Sequence, residues 1–223
     1  MLASANFGLF DRPSRGATGD QEALLPLRLI GRASDFESDR LGSSPRGGTK
    51  SDERPPYNTN PLITYQTAVH EAGHALMAVR RGVVARFSTI IPGNGGFGST
   101  LVDVTHNTKP KMRDAVFITV AGWAACAAKS MPSPDFGCYG DFDAAKRFLK
   151  VHGLGDDVFA DMRTEALKDM REYRNRRAVD TLVEAFSIKS RLEEYELHRV
   201  VGLSDAGVGG KSARKVLKVI IDS

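Results

Sequence analysis

His70 and His74 stand four residues apart, with Glu71 directly after the first. That spacing constrains the chain more than anything else in it. On a helix the two histidines project from one face, one turn above the other. Their ring nitrogens can then reach a single metal ion about 2.0–2.1 Å away. Glu71 points about 100° round the same helix. Its carboxylate falls beside the metal without binding it, where it can take a proton from the metal's water and pass it to a leaving amine. A shuffled chain of this composition would show the pattern roughly once in 200 trials, so the motif is a signal that still needs support from its flanks.

The flanks agree. Leu62–Arg81 reads as one helix, with Asn60 as N-cap and Pro61 at the first position, where its missing N–H costs nothing. Ala68, Val69, Ala72, Ala75, Leu76 and Val79 form an apolar face. Arg80 and Arg81 suit the negative end of the helix dipole, and Gly82 suits the position just past it. Gly73, between the histidines, weakens the helix by roughly 1 kcal/mol against Ala, which predicts close approach of another backbone or of substrate. Two satisfied core histidines would be the bland account, but Glu71 would then be an unexplained charge on an apolar helix.

At 223 residues with 41% hydrophobic content, the chain suits one domain with extensions. A net charge of +4 is too mild for a nucleic-acid signature. Two cysteines, Cys126 and Cys138, argue against a disulfide framework and fit a reducing, cytoplasmic setting. No run approaches the ~20 apolar residues of a membrane helix, and the start lacks a secretory signal. Residues 1–60 carry 8 basic and 8 acidic residues without periodicity and read as a flexible extension. Within it, Glu22–Arg32 is a candidate short helix or docking segment.

Beyond the motif, Val83–Pro92 and Phe97–Thr105 read as two strands joined by the Gly93–Gly96 turn. The edge of such a hairpin could pair with an extended peptide and lay its bond over the metal. Lys109–Lys129 reads as a second helix whose small residues allow close packing on the first, with Trp123 as a core residue. A loop, Met131–Gly140, precedes a helix over Asp141–Val151. From about Asp156 to Val201 the pattern is helical, with breaks near Asn175 and Ile188, and the basic run from Arg171 to Arg177 reads as a solvated face. The fold expected is mainly α with a small β-hairpin or sheet (α+β), an HExxH helix against a helical bundle.

A catalytic zinc takes three protein ligands and leaves a position for water. The extended three-histidine motif is excluded, because Met77 and Arg80 stand where its Gly and third His belong. His106, His152 and His198 read as surface or core residues. A carboxylate opening a helix can be aimed rigidly, which makes Asp141 and Asp143 the contenders, and the thiol of Cys138 is a further alternative.

Several segments, taken in order, resemble the FtsH family of ATP-dependent, membrane-bound zinc metalloproteases. These are Thr67–Leu76 around the motif, Ser88-Thr89-Ile90-Ile91-Pro92, Gly98-Ser99-Thr100-Leu101, Val120–Ala125, Gly140–Ala145, Leu182–Ala185 and Arg191–Leu197. The resemblance spans about Leu62 to Val201. It implies a zincin-like peptidase domain over residues 61–202, followed by a basic tail, residues 203–223, with room for a short helix. It also implies that Asp141 is the third zinc ligand. The family's ATPase module and membrane helices have no counterpart. Gly210-Lys211-Ser212 offers only the end of a phosphate loop, with Asp205 where its first glycine belongs, so no ATP site is expected. Trp123 and Cys126 replace charged residues typical of the family's second helix, which puts family-style assembly in doubt.

The expectation is a zinc metalloendopeptidase with one catalytic ion, held by His70, His74 and Asp141, and with Glu71 as the base. Its substrate would be a peptide or unfolded polypeptide, reaching it freely or from a separate unfoldase or adaptor. A homo-oligomer is compatible with this reading; nucleic acid and membrane are not expected as partners. The alternative is a catalytically idle module that keeps the peptidase fold and serves as a binding or regulatory adaptor.

Overall fold

The motif helix, α1 (Pro61–Arg80), is the hub of the molecule. The computed structural model describes residues 27–32, 61–93, 96–104, 108–132, 134–135, 137–208 and 210–222; Asn60 and the rest of the first 60 residues lie outside these. Every residue of α1 from Ala68 to Ala78 is buried. The sequence pattern suggests a single apolar face, but a helix apolar or small on all sides belongs at the centre of a fold. Gly82, at φ +65°, makes the left-handed turn that ends it.

α2 (Lys109–Ala128) packs along α1. The contact is close because both helices carry small residues there. A Cβ on Gly73 would sit 2.4 Å from the Ala121 carbonyl oxygen and 2.8 Å from the Ala125 Cβ. Of the two explanations for Gly73, the backbone of a neighbouring helix is the one observed.

A small antiparallel sheet packs against α1 on β2 (Val84–Thr89) and β3 (Gly96–Asp103), which form the expected hairpin. Gly98, Thr100 and Val102 are buried and alternate with half-buried Phe97, Ser99 and Leu101, the period of a strand with one face on a core. Two further strands flank the hairpin. β4 (Arg191–Glu193) pairs with β2, and β1 (Leu27–Arg32) pairs with β3, giving the order β1-β3-β2-β4. The helix considered for Glu22–Arg32 is therefore not formed over its last six residues, and its first five lie outside the described residues. Nor does the hairpin keep a free edge: each outer side is taken by a strand of the same chain.

The remaining helices are α3 (Tyr139–Val151), α4 (Asp156–Arg171), α5 (Tyr173–Ile188), α6 (Glu194–Asp205) and α7 (Gly210–Asp222). The breaks fall at Glu172 and after Ile188, close to where the pattern weakens. α3 begins two residues before the expected Asp141. The segment read as a basic tail is built into the body: α6 runs into it, and α7 buries Ala213, Leu217 and Ile220 while packing on α5 and α6. The fold is thus mainly α with a small antiparallel sheet. No helix among the described residues is long and apolar enough to cross a membrane.

Candidate metal centre

His70 and His74 leave α1 toward the N-terminal turn of α3, where Asp141 meets them. Asp141 Oδ2 lies 3.0 Å from His70 Nε2 and 3.3 Å from His74 Nε2, and the two Nε2 atoms are 2.9 Å apart. All three residues are buried. Among the described residues they form a group whose ligand atoms lie within 4.8 Å of one another and could hold a metal ion.

The hydrogen bonds behind the rings decide what faces the centre. His74 Nδ1 is 2.7 Å from the Ile118 carbonyl, so it carries the proton and donates it. The Cys138 thiol gives its one hydrogen to the Pro134 carbonyl at 3.2 Å, so its sulfur, 3.6 Å from His70 Nδ1, accepts from that nitrogen. Both Nε2 atoms are thereby left as lone pairs, pointed at each other and at a carboxylate. Asp141 Oδ2 is fully enclosed and makes no hydrogen bond. Three converging lone pairs in a buried site require a cation. The separations are close to the roughly 3.3 Å expected of two ligands on one tetrahedral ion with 2.0–2.1 Å bonds. The residues present therefore fit a small divalent metal.

Protonation equilibria point the same way. Burial works against a charged His74, but the Asp141 carboxylate outweighs it and lifts the His74 pKa to about 9. Burial likewise raises Asp141, and the neighbouring His74 charge outweighs that, holding its carboxyl below the usual range. Without metal, a proton supplies the positive charge that the cluster demands.

Gly122 of α2 lies against the Nε2 side of the two rings. A Cβ there would lie 2.5 Å from His74 Nε2 and 2.7 Å from His70 Nε2. Glu71 lies toward the sheet, where a Cβ on Gly98 would meet its Oε1 at 2.9 Å. Thr100 donates to Glu71 Oε2 at 2.7 Å, and Ser88 Oγ is 2.8 Å from Thr100 Oγ1. Since the Thr100 hydrogen is committed to Glu71, Ser88 donates to Thr100. Burial raises the Glu71 pKa above its ordinary value, and His70, His74 and this hydroxyl limit the rise. A crevice lined by Gln66, Thr67, His70, Glu71, Phe97 and Gly98 leads to the pair.

The other candidates fall away from the centre. Asp143 is exposed, two residues round α3 from Asp141. Cys138 touches the far nitrogen of His70, so its thiol orients a ring and does not share the Nε2 site. His152 is half-buried at the end of α3, His198 is exposed on α6, and His106 lies outside the described residues. Tyr139, two residues before Asp141 in sequence, is 71% exposed. Trp123 is buried, donating to Asp135 at 2.7 Å under the Arg163 guanidinium. Gly122, Gly98, Thr100 and Ser88 acquire roles that the sequence did not assign. No protein-family model matches the chain, and no curated protein matches it.

Proposed function

We propose that the chain is a zinc-dependent metalloendopeptidase with a peptidase domain of the FtsH type. The observation that carries this reading is the convergence of His70, His74 and Asp141 beside a separate buried carboxylate, Glu71, which shares a crevice with His70. His70, His74 and Asp141 would hold a zinc ion, which would supply Lewis-acid chemistry and lower the pKa of bound water from 15.7 toward ~7. Glu71 takes the proton of the attacking water and returns it to the leaving amine. Burial makes it a stronger base than a surface glutamate, while the Thr100 hydroxyl fixes its orientation. Polypeptide is the substrate class, entering as an extended chain alone or from a separate unfoldase.

The adaptor reading draws on the β2–β3 hairpin, both of whose outer edges are taken by strands of the same chain. One experiment separates the two. Wild type and Glu71→Gln are loaded with zinc and assayed on casein with and without chelator. Both should hold one equivalent of zinc. Hydrolysis should be chelator-sensitive in wild type and about 10²–10⁴-fold slower in the variant. Equal turnover in both would remove Glu71 from the chemistry, and zinc without turnover in wild type would favour the adaptor.

A further inference from the structure

Strand β1 occupies a telling position. It pairs antiparallel with the outer edge of β3, Leu27 opposite Val102 and Ile30 opposite Ser99, and then shifts register so that Arg32 meets Gly96. It also packs against α3, the helix whose first turn presents Asp141. The strand therefore lies between the element that touches Glu71 and the element that carries Asp141. The shift places Gly31 opposite Phe97 and Gly98, and Gly98 borders the Glu71 side chain, two residues before Thr100, which donates to its carboxylate. The extra residue is on β3, so the bulge falls at Phe97–Gly98 and re-aims the β3 backbone beside the site.

We propose that the outer edge of β3 is the docking edge for an extended polypeptide, and that Leu27–Arg32 is an internal occupant which a substrate must displace. Backbone pairing supplies the affinity of such an edge, so the competitor is any unfolded segment able to run antiparallel to β3. Leu27–Arg32 is joined to the domain by a connection of 28 residues, 33–60, long enough to let it leave and return without unfolding the body. Its effect on turnover rests on the peptidase reading; its effect on binding does not.

The test uses the full chain. Leu29→Pro with Ile30→Pro removes two adjacent backbone donors, so pairing with β3 fails whichever of them faces it. A fluorescent peptide of residues 24–35 serves as probe, and anisotropy reads its affinity. In the proline variant the probe should bind about tenfold more tightly than in wild type, because the edge is no longer mostly taken. Hydrogen exchange of those amides within Ser99–Val102 that point to β1, and not of those that point to β2, should rise in the same variant. A second variant, Arg28→Cys with Leu101→Cys, joins two paired residues by a disulfide. Oxidised, it should lose probe binding, and reductant should restore it. Unchanged probe affinity in both variants, or unchanged amide exchange in the first, overturns the proposal. Casein hydrolysis that rises with probe affinity supports both readings; tighter probe binding with no hydrolysis in any form keeps the docking edge and removes the peptidase.

Discussion

At the scale of single residues, the centre depends on side chains that are absent as much as on those present. Gly122 has no Cβ, and the two imidazoles fill that space. Gly122→Ala should push the rings apart, destabilise the fold by about 1–3 kcal/mol as overpacking does, and lower zinc content after dialysis, read by metal analysis. Thr100 acts through Glu71. Its hydroxyl stabilises the charged carboxylate, so Thr100→Val should raise the Glu71 pKa further. In the proposed mechanism Glu71 must be ionised to work, so the acid limb of the kcat/KM profile should move to higher pH, with zinc content unchanged. The placing of His70 and His74 on one face of α1, with Glu71 beside them, was legible because it follows from helical periodicity alone. The choice between Asp141 and Asp143 was not. Two residues on a helix point about 200° apart, and which of them faces the histidines depends on how α3 docks.

Among elements, the strongest polar tie joins three helices that are distant in sequence. Asp205, at the end of α6, accepts two hydrogen bonds from Arg80 of α1, at 2.6 and 2.7 Å, and two from Arg174 of α5, at 3.0 and 2.9 Å. The bonds from Arg80 and Arg174 hold its carboxyl far below the usual carboxylate range. A group whose folded pKa is depressed stabilises the fold above its unfolded pKa and loses that contribution as pH falls through the folded one. Asp205→Asn should therefore cost about 1 kcal/mol at pH 7. The gap to wild type in urea unfolding should persist down to about pH 4 and narrow below it. Sequence reading took Arg80 as a partner of the helix dipole and Arg174 as part of a solvated face, and it placed α1 and α2 nearly to their ends. Pro61, Gly82 and Pro110 mark those limits locally. β1 and β4 carry no such mark. β4 is three residues long, and the partner of β1 lies some 70 residues away, so neither has a periodicity of its own to read.

Over the whole molecule, α1 is wrapped by the sheet, by α2 and by α5, and the C-terminal α7 closes the helical side over α5 and α6. Leu217 is fully buried there. Leu217→Ala should destabilise the domain by about 2–5 kcal/mol in denaturant unfolding, a result that a loose tail would not give. The amino-acid order by itself determined the motif helix, its two-histidine face, the carboxylate beside it, the hairpin and the mainly helical class. Each of these rests on a period or a cap contained within a few turns of chain. Tertiary structure alone decided which aspartate closes the centre, that glycines on two other elements make room for it, that the last helix belongs to the core, and that the chain's own early strand pairs with β3 and packs on α3. Those are relations between segments far apart in sequence, set by the packing of one surface on another, and no local pattern encodes them.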